Sequence, residues 1–251
     1  MLGLKDDSYI VRTKALYYIA QLITQNEELA TTEILHELTS LLSDNSSIVK
    51  GNTVYALTAL VKQKPDFVSE VFNLIQPLLQ EQKPDFVLKF FNIVESPSVG
   101  NWYLMVMVLN AVFQFIAQNK ELATLEVLDQ ITPLLKNKYY IIKLQAVRAI
   151  TILIEQKQEL ATAEALHQLT PLLKNKYDVI KVEAVKAIDR LIGQNKELAT
   201  AKVLAKLEGA SKSTLISSEQ ESLVILTMSE LVESVAEYML KVMGDFDYDH
   251  I

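Results

Sequence analysis

Histidine and carboxylate side chains that could bind a metal or transfer a proton are scarce in this chain. Only three histidines occur, and one stands in a His36-Glu37 pair that could donate two metal ligands. The pair does not recur, because the corresponding positions of later repeats hold His167-Gln168 and Asn73-Leu74. We interpret His36 and Glu37 as part of a solvated polar face and predict no catalytic residue, no metal site and no cofactor.

Sequence motifs of catalysis and nucleotide binding are also absent. No GxSxG, HExxH, GxGxxG or Walker motif occurs, and the six glycines leave no loop that could cradle a phosphate. The chain has no cysteine, which excludes disulfides, zinc–thiolate sites and a cysteine nucleophile. These absences favour a binding protein over an enzyme.

Composition and charge narrow the class of partner. Half of the 251 residues are hydrophobic and the formal net charge is −7. An acidic chain with three arginines is poorly suited to a phosphate backbone, which needs clustered basic side chains. No run reaches the roughly 18 apolar residues of a membrane span, and the N-terminus lacks the order of a signal peptide. We predict a soluble, cytoplasmic protein whose partner is neither a nucleic acid nor a membrane.

The elements that must position any binding residues repeat along the chain. The run Pro-Leu-Leu-Lys-Asn-Lys-Tyr at 133–139 returns at 171–177, an offset of 38 residues, and such a period is typical of helical repeat proteins. In the first half of each unit the apolar residues are spaced 4, 1, 3, 3 and 1 apart, which predicts an amphipathic helix A. The apolar faces of its five copies begin at Val11, Val49, Leu104, Ile142 and Ile180.

The second half of each unit predicts a helix B, whose apolar face in the first copy is Ile34-Leu35, Leu38 and Leu41-Leu42. Threonine is a good N-cap, and it precedes this face at Thr31, Thr124, Thr162 and Thr200. Proline removes a backbone hydrogen bond and clashes with the preceding turn. We therefore expect a kink or an early helix end at Pro77, Pro133 and Pro171.

The pattern predicts one all-α domain, an α-α superhelix of about five helical hairpins. The hairpins are assigned to residues 4–42, 43–79, 97–135, 136–173 and 174–212. A Lys-Pro-Asp-Phe-Val run recurs after only 19 residues, which predicts one extra helix at 83–95, within the segment 80–96. We expect a hinge loop at 96–101 and a break at 209–213, then a long C-terminal capping helix at 213–243 and an acidic tail at 244–251. The first helix A is expected to start with no capping element before it, unless Met1-Leu2-Gly3 is the cap.

A family resemblance rests on the residues that open each helix A. The run Val11-Arg12, Ala15-Leu16 and Ile19, followed by Leu41-Leu42, resembles a HEAT repeat, with armadillo repeats as the nearest relatives. The resemblance covers residues 4–210 and implies a HEAT/armadillo-like solenoid that binds other proteins along a concave surface lined by B helices. In that family a basic residue often pairs with an aspartate of the next unit. The basic residue recurs here as Lys50, Lys143 and Lys181, but Met105 replaces it in the third unit and the aspartate is irregular, so we do not assert a ladder of ion pairs.

The outward positions of the B helices supply the candidate protein-binding residues. One rung holds Glu33, Glu70, Glu126, Glu164 and Lys202, and the next rung holds His36, Asn73, Asp129, His167 and Ala205. The candidates are the first four residues of each rung. Stacked glutamates would form an acidic stripe that suits a basic segment of a protein or peptide partner. The interpretation we favour is that these glutamates serve only the helix dipole and solubility.

Aromatic residues gather near the starts of the A helices, and they could be binding hot spots. Packing between the loops of neighbouring units is the interpretation we favour. These residues are Tyr9, Trp102, Tyr139, Tyr140 and Tyr177.

Three functional hypotheses follow. The leading one is a non-enzymatic scaffold or adaptor that binds a protein or peptide along the B-helix surface. The resemblance also leaves open a HEAT-fold enzyme of the deoxyhypusine-hydroxylase or DNA-glycosylase type. The first type needs several His-Glu pairs, and the second needs a basic, aromatic-lined face. The third hypothesis is a purely structural repeat array, which the near-identity of the fourth and fifth hairpins permits.

Overall fold

The computed structural model describes residues 2–80 and 97–215, and within these ranges the chain forms helices joined by short turns, with no strand. Five long helices alternate with five others, which confirms the predicted all-α fold of paired helices. None of the described helices is both long and apolar enough to cross a membrane. The extra helix predicted at 83–95, and the cap and tail beyond residue 215, lie outside the described residues.

The A helices are α1 (Tyr9–Gln25), α3 (Ser47–Gln63), α5 (Pro97–Gln118), α7 (Tyr140–Gln156) and α9 (Asp178–Gln194). The B helices are α2 (Thr32–Ser40), α4 (Val68–Ile75), α6 (Leu125–Ile131), α8 (Ala163–Leu169) and α10 (Ala201–Leu215). The chain divides into two compact units. The described part of the first unit is residues 2–80 and 97–111, and that of the second is residues 112–215.

Side-by-side packing of A helices forms the core of each unit. In the first unit α1 packs against α3, and in the second α7 packs against α9. Helix α3 is buried on nearly all sides, and Val54, Leu57 and Leu60 are fully buried. The run Met105–Val108 in α5 is also buried, as its unbroken apolar character predicts. Each such side chain contributes roughly 1.5–3 kcal/mol when it leaves water.

A single glycine allows α5 to approach α3 closely in the first unit. A Cβ atom built on Gly51 would lie 2.5 Å from Cε1 and 2.7 Å from Cδ1 of Tyr103. Tyr103 is fully buried, and this burial raises the pKa of its hydroxyl far above the usual 10.0, so the ring stays neutral. Gly51 is therefore required for close approach and not for an unusual backbone conformation, since no described residue has a positive φ.

Four threonine caps and three proline-associated ends of the B helices lie where the sequence predicts them. The hydroxyl oxygens of Thr31, Thr124, Thr162 and Thr200 each accept a hydrogen bond from the backbone N–H three residues on, at 3.2–3.4 Å. Helices α4, α6 and α8 end early, and each passes into a 3₁₀ turn that contains the proline: Gln76–Gln80, Thr132–Lys136 and Thr170–Lys174. The early helix ends expected at Pro77, Pro133 and Pro171 are thus confirmed.

The break expected at 209–213 is wrong, because α10 continues through it to Leu215. Position 209 corresponds to Pro171 of the preceding repeat, and the residue there is glycine. A glycine keeps its backbone N–H and has no ring to clash, so it costs a helix only about 1 kcal/mol, compared with about 3 kcal/mol for proline. Replacement of the repeat's proline by Gly209 therefore lets the last B helix run on.

A further expectation about helix starts is wrong. Residues 97–101 are not a loop, because α5 begins at Pro97; proline is well tolerated in the first turn, where its missing N–H would have no partner. The first helix is preceded by a short turn, in the region that the sequence offered as its only cap. It begins at Tyr9 after a 3₁₀ turn at Leu2–Lys5, and Leu4 of this turn is buried. Leu4 takes the place that Leu42, 38 residues on, takes before α3.

One ion pair of the kind that forms the family's ladder is present, between Arg12 and Asp44, although the sequence provided no basis for asserting a ladder. Arg12 Nε lies 2.8 Å from Asp44 Oδ2, and Arg12 Nη2 lies 3.2 Å from Asp44 Oδ1. The remaining guanidinium nitrogen donates to the carbonyl oxygens of Asp6 and Asp7 at 2.7 and 2.9 Å. In the second unit the position that corresponds to Asp44 is Asn175, whose neutral amide cannot form an ion pair.

The close approach at Gly51 predicts the effect of adding one methyl group. Gly51→Ala should lower the free energy of unfolding by about 1–3 kcal/mol, because the Cβ would overlap the buried ring of Tyr103. Urea denaturation would measure this. Gly193→Ala is the matched control, since nothing lies within 4 Å of its Cβ position in α9, and it should stabilise by about 0.5–1 kcal/mol. Equal effects of the two substitutions would contradict the close packing.

The bidentate pair predicts a second stability difference. Arg12→Met should lower the free energy of unfolding by about 1–3 kcal/mol, because it leaves the largely buried Asp44 carboxylate without its cation. Lys5→Met is the control, since Lys5 lies 3.9 Å from Glu37 and is mostly exposed, and it should change stability by less than about 0.5 kcal/mol. A loss at Arg12 no larger than the loss at Lys5 would show that the rung is not structural.

Candidate protein-binding surface

The B helices are fixed in each unit by their contacts with the A helices. In the first unit α2 and α4 both pack against α3. In the second unit α6 packs on α7, α8 packs on α9, and α8 also contacts the 3₁₀ turn Thr132–Lys136 that follows α6. The inward side chains, such as Leu38 and Leu169, are fully buried. Each B helix therefore has one anchored side and one side open to solvent.

All eight residues predicted as a protein-binding surface are exposed, and they fall on the open sides of the B helices. The first unit carries four of them, on α2 and α4, and the second unit carries four, on α6 and α8. Within each helix the two predicted residues are three positions apart and so share a face. By unit the eight residues divide into two sets of four, Glu33, His36, Glu70 and Asn73 in the first and Glu126, Asp129, Glu164 and His167 in the second, and that each set forms one surface stays a prediction.

Two of the glutamates each accept a hydrogen bond from a glutamine side chain one helical turn further along the chain. Gln130 Nε2 donates to Glu126 Oε1 at 3.3 Å, and Gln168 Nε2 donates to Glu164 Oε1 at 2.6 Å. These hydrogen bonds orient the carboxylates without neutralising them. The remaining oxygen of Glu164 is left to accept from a cationic partner group.

Glu33 lies beside a pocket in the first unit. The pKa of its carboxyl is below the usual 4.5, chiefly through a hydrogen bond with its own backbone N–H and then through one with the Thr31 side chain, while Lys64 adds a weaker attraction. The pocket, of about 520 Å³, lies between the start of α2 and the end of α3, and Glu27, Glu28, Gln63 and Lys64 also line it. Glu33 therefore keeps its negative charge at a concave place on the surface.

Sequence reasoning missed two leucines that extend this surface. Leu125 is 56% exposed at the start of α6, and Leu74 is 41% exposed near the end of α4. Periodicity placed both of them off the buried face, but it gave no reason for an apolar residue there. The signal was available by comparison along the repeat, because the positions that correspond to Leu125 hold Thr32, Ser69, Ala163 and Ala201.

The polar groups of this surface are suited to recognition. The histidines His36 and His167 are exposed, and no group of three metal-binding side chains occurs within residues 2–80 and 97–215. Carboxylates, an amide, imidazoles and two leucines can supply charge pairing, hydrogen bonds and apolar contacts to a polypeptide.

Comparison with known proteins gives one family and several structures. A model of the family described as Adaptin N terminal region matches residues 2–241. A designed armadillo repeat protein in complex with the peptide (KR)4 is 20% identical, with a TM-score of 0.52 over 96% of this chain and 97% of that chain. Computationally designed armadillo repeat proteins for modular peptide recognition give 18% identity and a TM-score of 0.53, over 84% of this chain and 96% of that chain.

These similarities define the fold class. A further engineered protein is 18% identical, with a TM-score of 0.53 over 97% of this chain and 96% of that chain. No curated protein sequence matches the chain significantly. At such low identity the structures establish the α-α solenoid fold alone, and with the family match they confirm the HEAT/armadillo-like architecture expected from the repeat.

The hydrogen bonds at Glu33 predict a measurable titration. Its pKa should lie below 4.5 in the folded protein, and Thr31→Ala should raise it because one hydrogen bond to the ionised form is lost. Since the folded-state pKa is depressed, the contribution of Glu33 to stability is present above the unfolded-state pKa and is lost as the pH falls through the folded-state value. Carboxyl ¹³C NMR against pH would measure the shift. Thr32→Ala is the control and should leave the titration unchanged; a shift as large as that of Thr31→Ala would contradict the assignment.

Proposed function

The chain belongs to the Adaptin N terminal region family, and from this premise we propose that it is a non-enzymatic scaffold that binds a protein or peptide along the open sides of its B helices. The observation that carries the proposal is the shared exposure of eight polar residues at equivalent positions of α2, α4, α6 and α8. The opposite side of each helix is buried. Substitutions on the exposed side can therefore change which partner binds without disturbing the buried core.

The helix dipole alone does not account for the composition of this surface. Glutamate in the first turn is favoured by the dipole at Glu33, Glu70, Glu126 and Glu164. That argument does not extend to the exposed Leu125, which precedes Glu126, since an apolar side chain gains nothing from the dipole and loses free energy in water. Negative charge beside exposed leucine is a combination that favours recognition.

The proposed partner is a segment with basic residues and at least one apolar side chain. Carboxylates attract lysine and arginine, and charge complementarity also raises the rate of association. Leu125 in the second unit and Leu74 in the first give an apolar side chain of the partner a surface to cover. A designed armadillo repeat protein of similar fold is in complex with the peptide (KR)4, which supports a basic peptide as the probe.

Charge reversal on the second unit tests the proposal. A fluorescein-labelled (Lys-Arg)4 peptide should bind the wild-type protein, and Glu126→Lys with Glu164→Lys should weaken binding by about tenfold, because two attractions become repulsions. Fluorescence anisotropy would measure the dissociation constants. Leu125→Ser, tested with a peptide that also carries a leucine, should weaken binding by about threefold to tenfold.

Glu159→Lys with Glu197→Lys is the matched control. These glutamates are exposed in the turns Gln158–Leu160 and Lys196–Leu198, so the double variant has the same net charge as the test variant. It should retain binding within about twofold, since these glutamates lie in the turns before the B helices and not on the open sides, and salt screens the attraction between exposed charges. Equal loss in the test and control variants would mean that the peptide senses only net charge, and the B-helix surface would be rejected.

A further inference from the structure

The Pro-Leu-Leu-Lys-Asn-Lys-Tyr run that occurs twice in the second unit contributes to a positively charged edge, although the chain as a whole is negatively charged. We define the junction edge as residues 136–143 and 174–181, where the end of one hairpin meets the helix A of the next. These ranges hold six lysines and one aspartate, in a chain of net charge −7. Asp178 pairs with Lys181 on the same helix. Four lysines of the edge are exposed: Lys136, Lys138, Lys174 and Lys176.

Two exposed tyrosines lie side by side on the junction edge. The ring centroids of Tyr140 and Tyr177 are 5.0 Å apart and the ring planes are tilted by 37°. The two residues are 47% and 39% exposed, although they come from consecutive hairpins. Lys176 Nζ lies 4.8 Å from the centroid of the Tyr177 ring. The packing role favoured for these aromatic residues from the sequence therefore accounts for only part of their surface.

The fold does not require lysine or tyrosine at these positions. The turn is made by a side-chain oxygen that accepts a backbone N–H two residues on: Asn137 from Tyr139 at 3.0 Å and Asn175 from Tyr177 at 3.1 Å. In the first unit Asp44 makes the same bond to Ser46 at 2.8 Å. There the corresponding segment 43–47 reads Ser-Asp-Asn-Ser-Ser, with no lysine and no aromatic residue.

We infer that the junction edge is a second docking surface, and that its partner is an acidic peptide segment with a proline or aliphatic residue between its carboxylates. The exposed lysines would pair with the carboxylates. The tyrosine pair offers a rigid apolar surface at low entropic cost, which a proline or leucine side chain can cover. This surface differs in position and in charge from the open sides of the B helices, so the inference does not depend on the proposed function.

Local charge favours a short peptide over an extended polyanion. At physiological salt an exposed charge is screened beyond about 8 Å, so a short acidic segment on the junction edge feels mainly the lysines there. A nucleic acid or an anionic membrane would extend over more of a chain whose net charge is −7 and would meet repulsion. The four exposed basic groups are all lysine, and the bidentate arginine contacts that commonly serve phosphate recognition are absent from the edge.

Peptide binding with variants copied from the first unit tests the inference. The probe is the labelled octapeptide Glu-Glu-Pro-Leu-Glu-Glu-Pro-Leu, with glutamine in place of glutamate in the reference peptide. Lys138→Asn with Lys176→Asn should weaken binding of the acidic peptide by about fivefold, and Tyr140→Ser with Tyr177→Ser by about tenfold. Since Asn45, Ser46 and Ser47 stand at these positions in the first unit, both variants should fold, which circular dichroism would verify.

The controls separate the edge from general electrostatics. Lys120→Asn with Lys196→Asn removes two exposed lysines from the turns Lys120–Leu122 and Lys196–Leu198 and should change binding by less than twofold. Equal weakening by this control, or equal affinity for the glutamine peptide, would overturn the inference. Binding to vesicles with 20% phosphatidylserine but not to the acidic peptide would also overturn it, in favour of a membrane. If the lysine and tyrosine variants bind (Lys-Arg)4 as tightly as the wild-type protein does, the junction edge and the open sides of the B helices are separate binding surfaces.

Discussion

Lateral packing of A helices is the interaction on which every other part of the structure depends. Helix α3 in the first unit and α7 in the second have buried residues around most of their circumference. They carry only a few buried polar groups, such as Asn52 and Gln145. The short B helices lie against this layer and bury only one side. Apolar residues therefore serve mainly the packing between A helices, and the open sides of the B helices can carry polar and charged residues.

The repeat and its apolar spacing were sufficient to predict paired helices, the threonine caps and the helix ends at the prolines, because these depend on local chemistry that recurs at fixed positions. Departures from the repeat were harder to interpret. Gly209 was read as a breaker although it stands where proline ended the earlier B helices, and Pro97 was read as a loop residue although it begins α5. The Arg12–Asp44 pair was missed because one aspartate in one repeat gives no periodic signal.

The candidate surface was predictable only in part, and for a physical reason. Exposure of Glu126 or Glu164 follows from helical geometry once the buried face is known. The exposure of Leu125 does not follow from helical geometry, because a hydrophobic residue is expected to be buried until its neighbours are known. The tyrosines of the junction edge show the same limit: spacing placed them at helix starts, but only coordinates showed that Tyr140 and Tyr177 lie together and remain exposed. Residues that depart from the repeat without a structural need are the ones to which we assign a role in recognition.

Helices α6 and α8 have only seven residues each, which has a consequence for how a bound segment would be sensed. Helices of this length do not persist in isolation, because nucleation is costly, so each is held by its contacts with neighbouring elements, which for α8 include the turn after α6. Local opening in such an array can be confined to one hairpin at a time. A ligand that contacts two hairpins would suppress local opening in those two and leave the others unaffected. Hydrogen exchange of the amide protons would slow only in the two contacted hairpins, which would identify where the ligand binds.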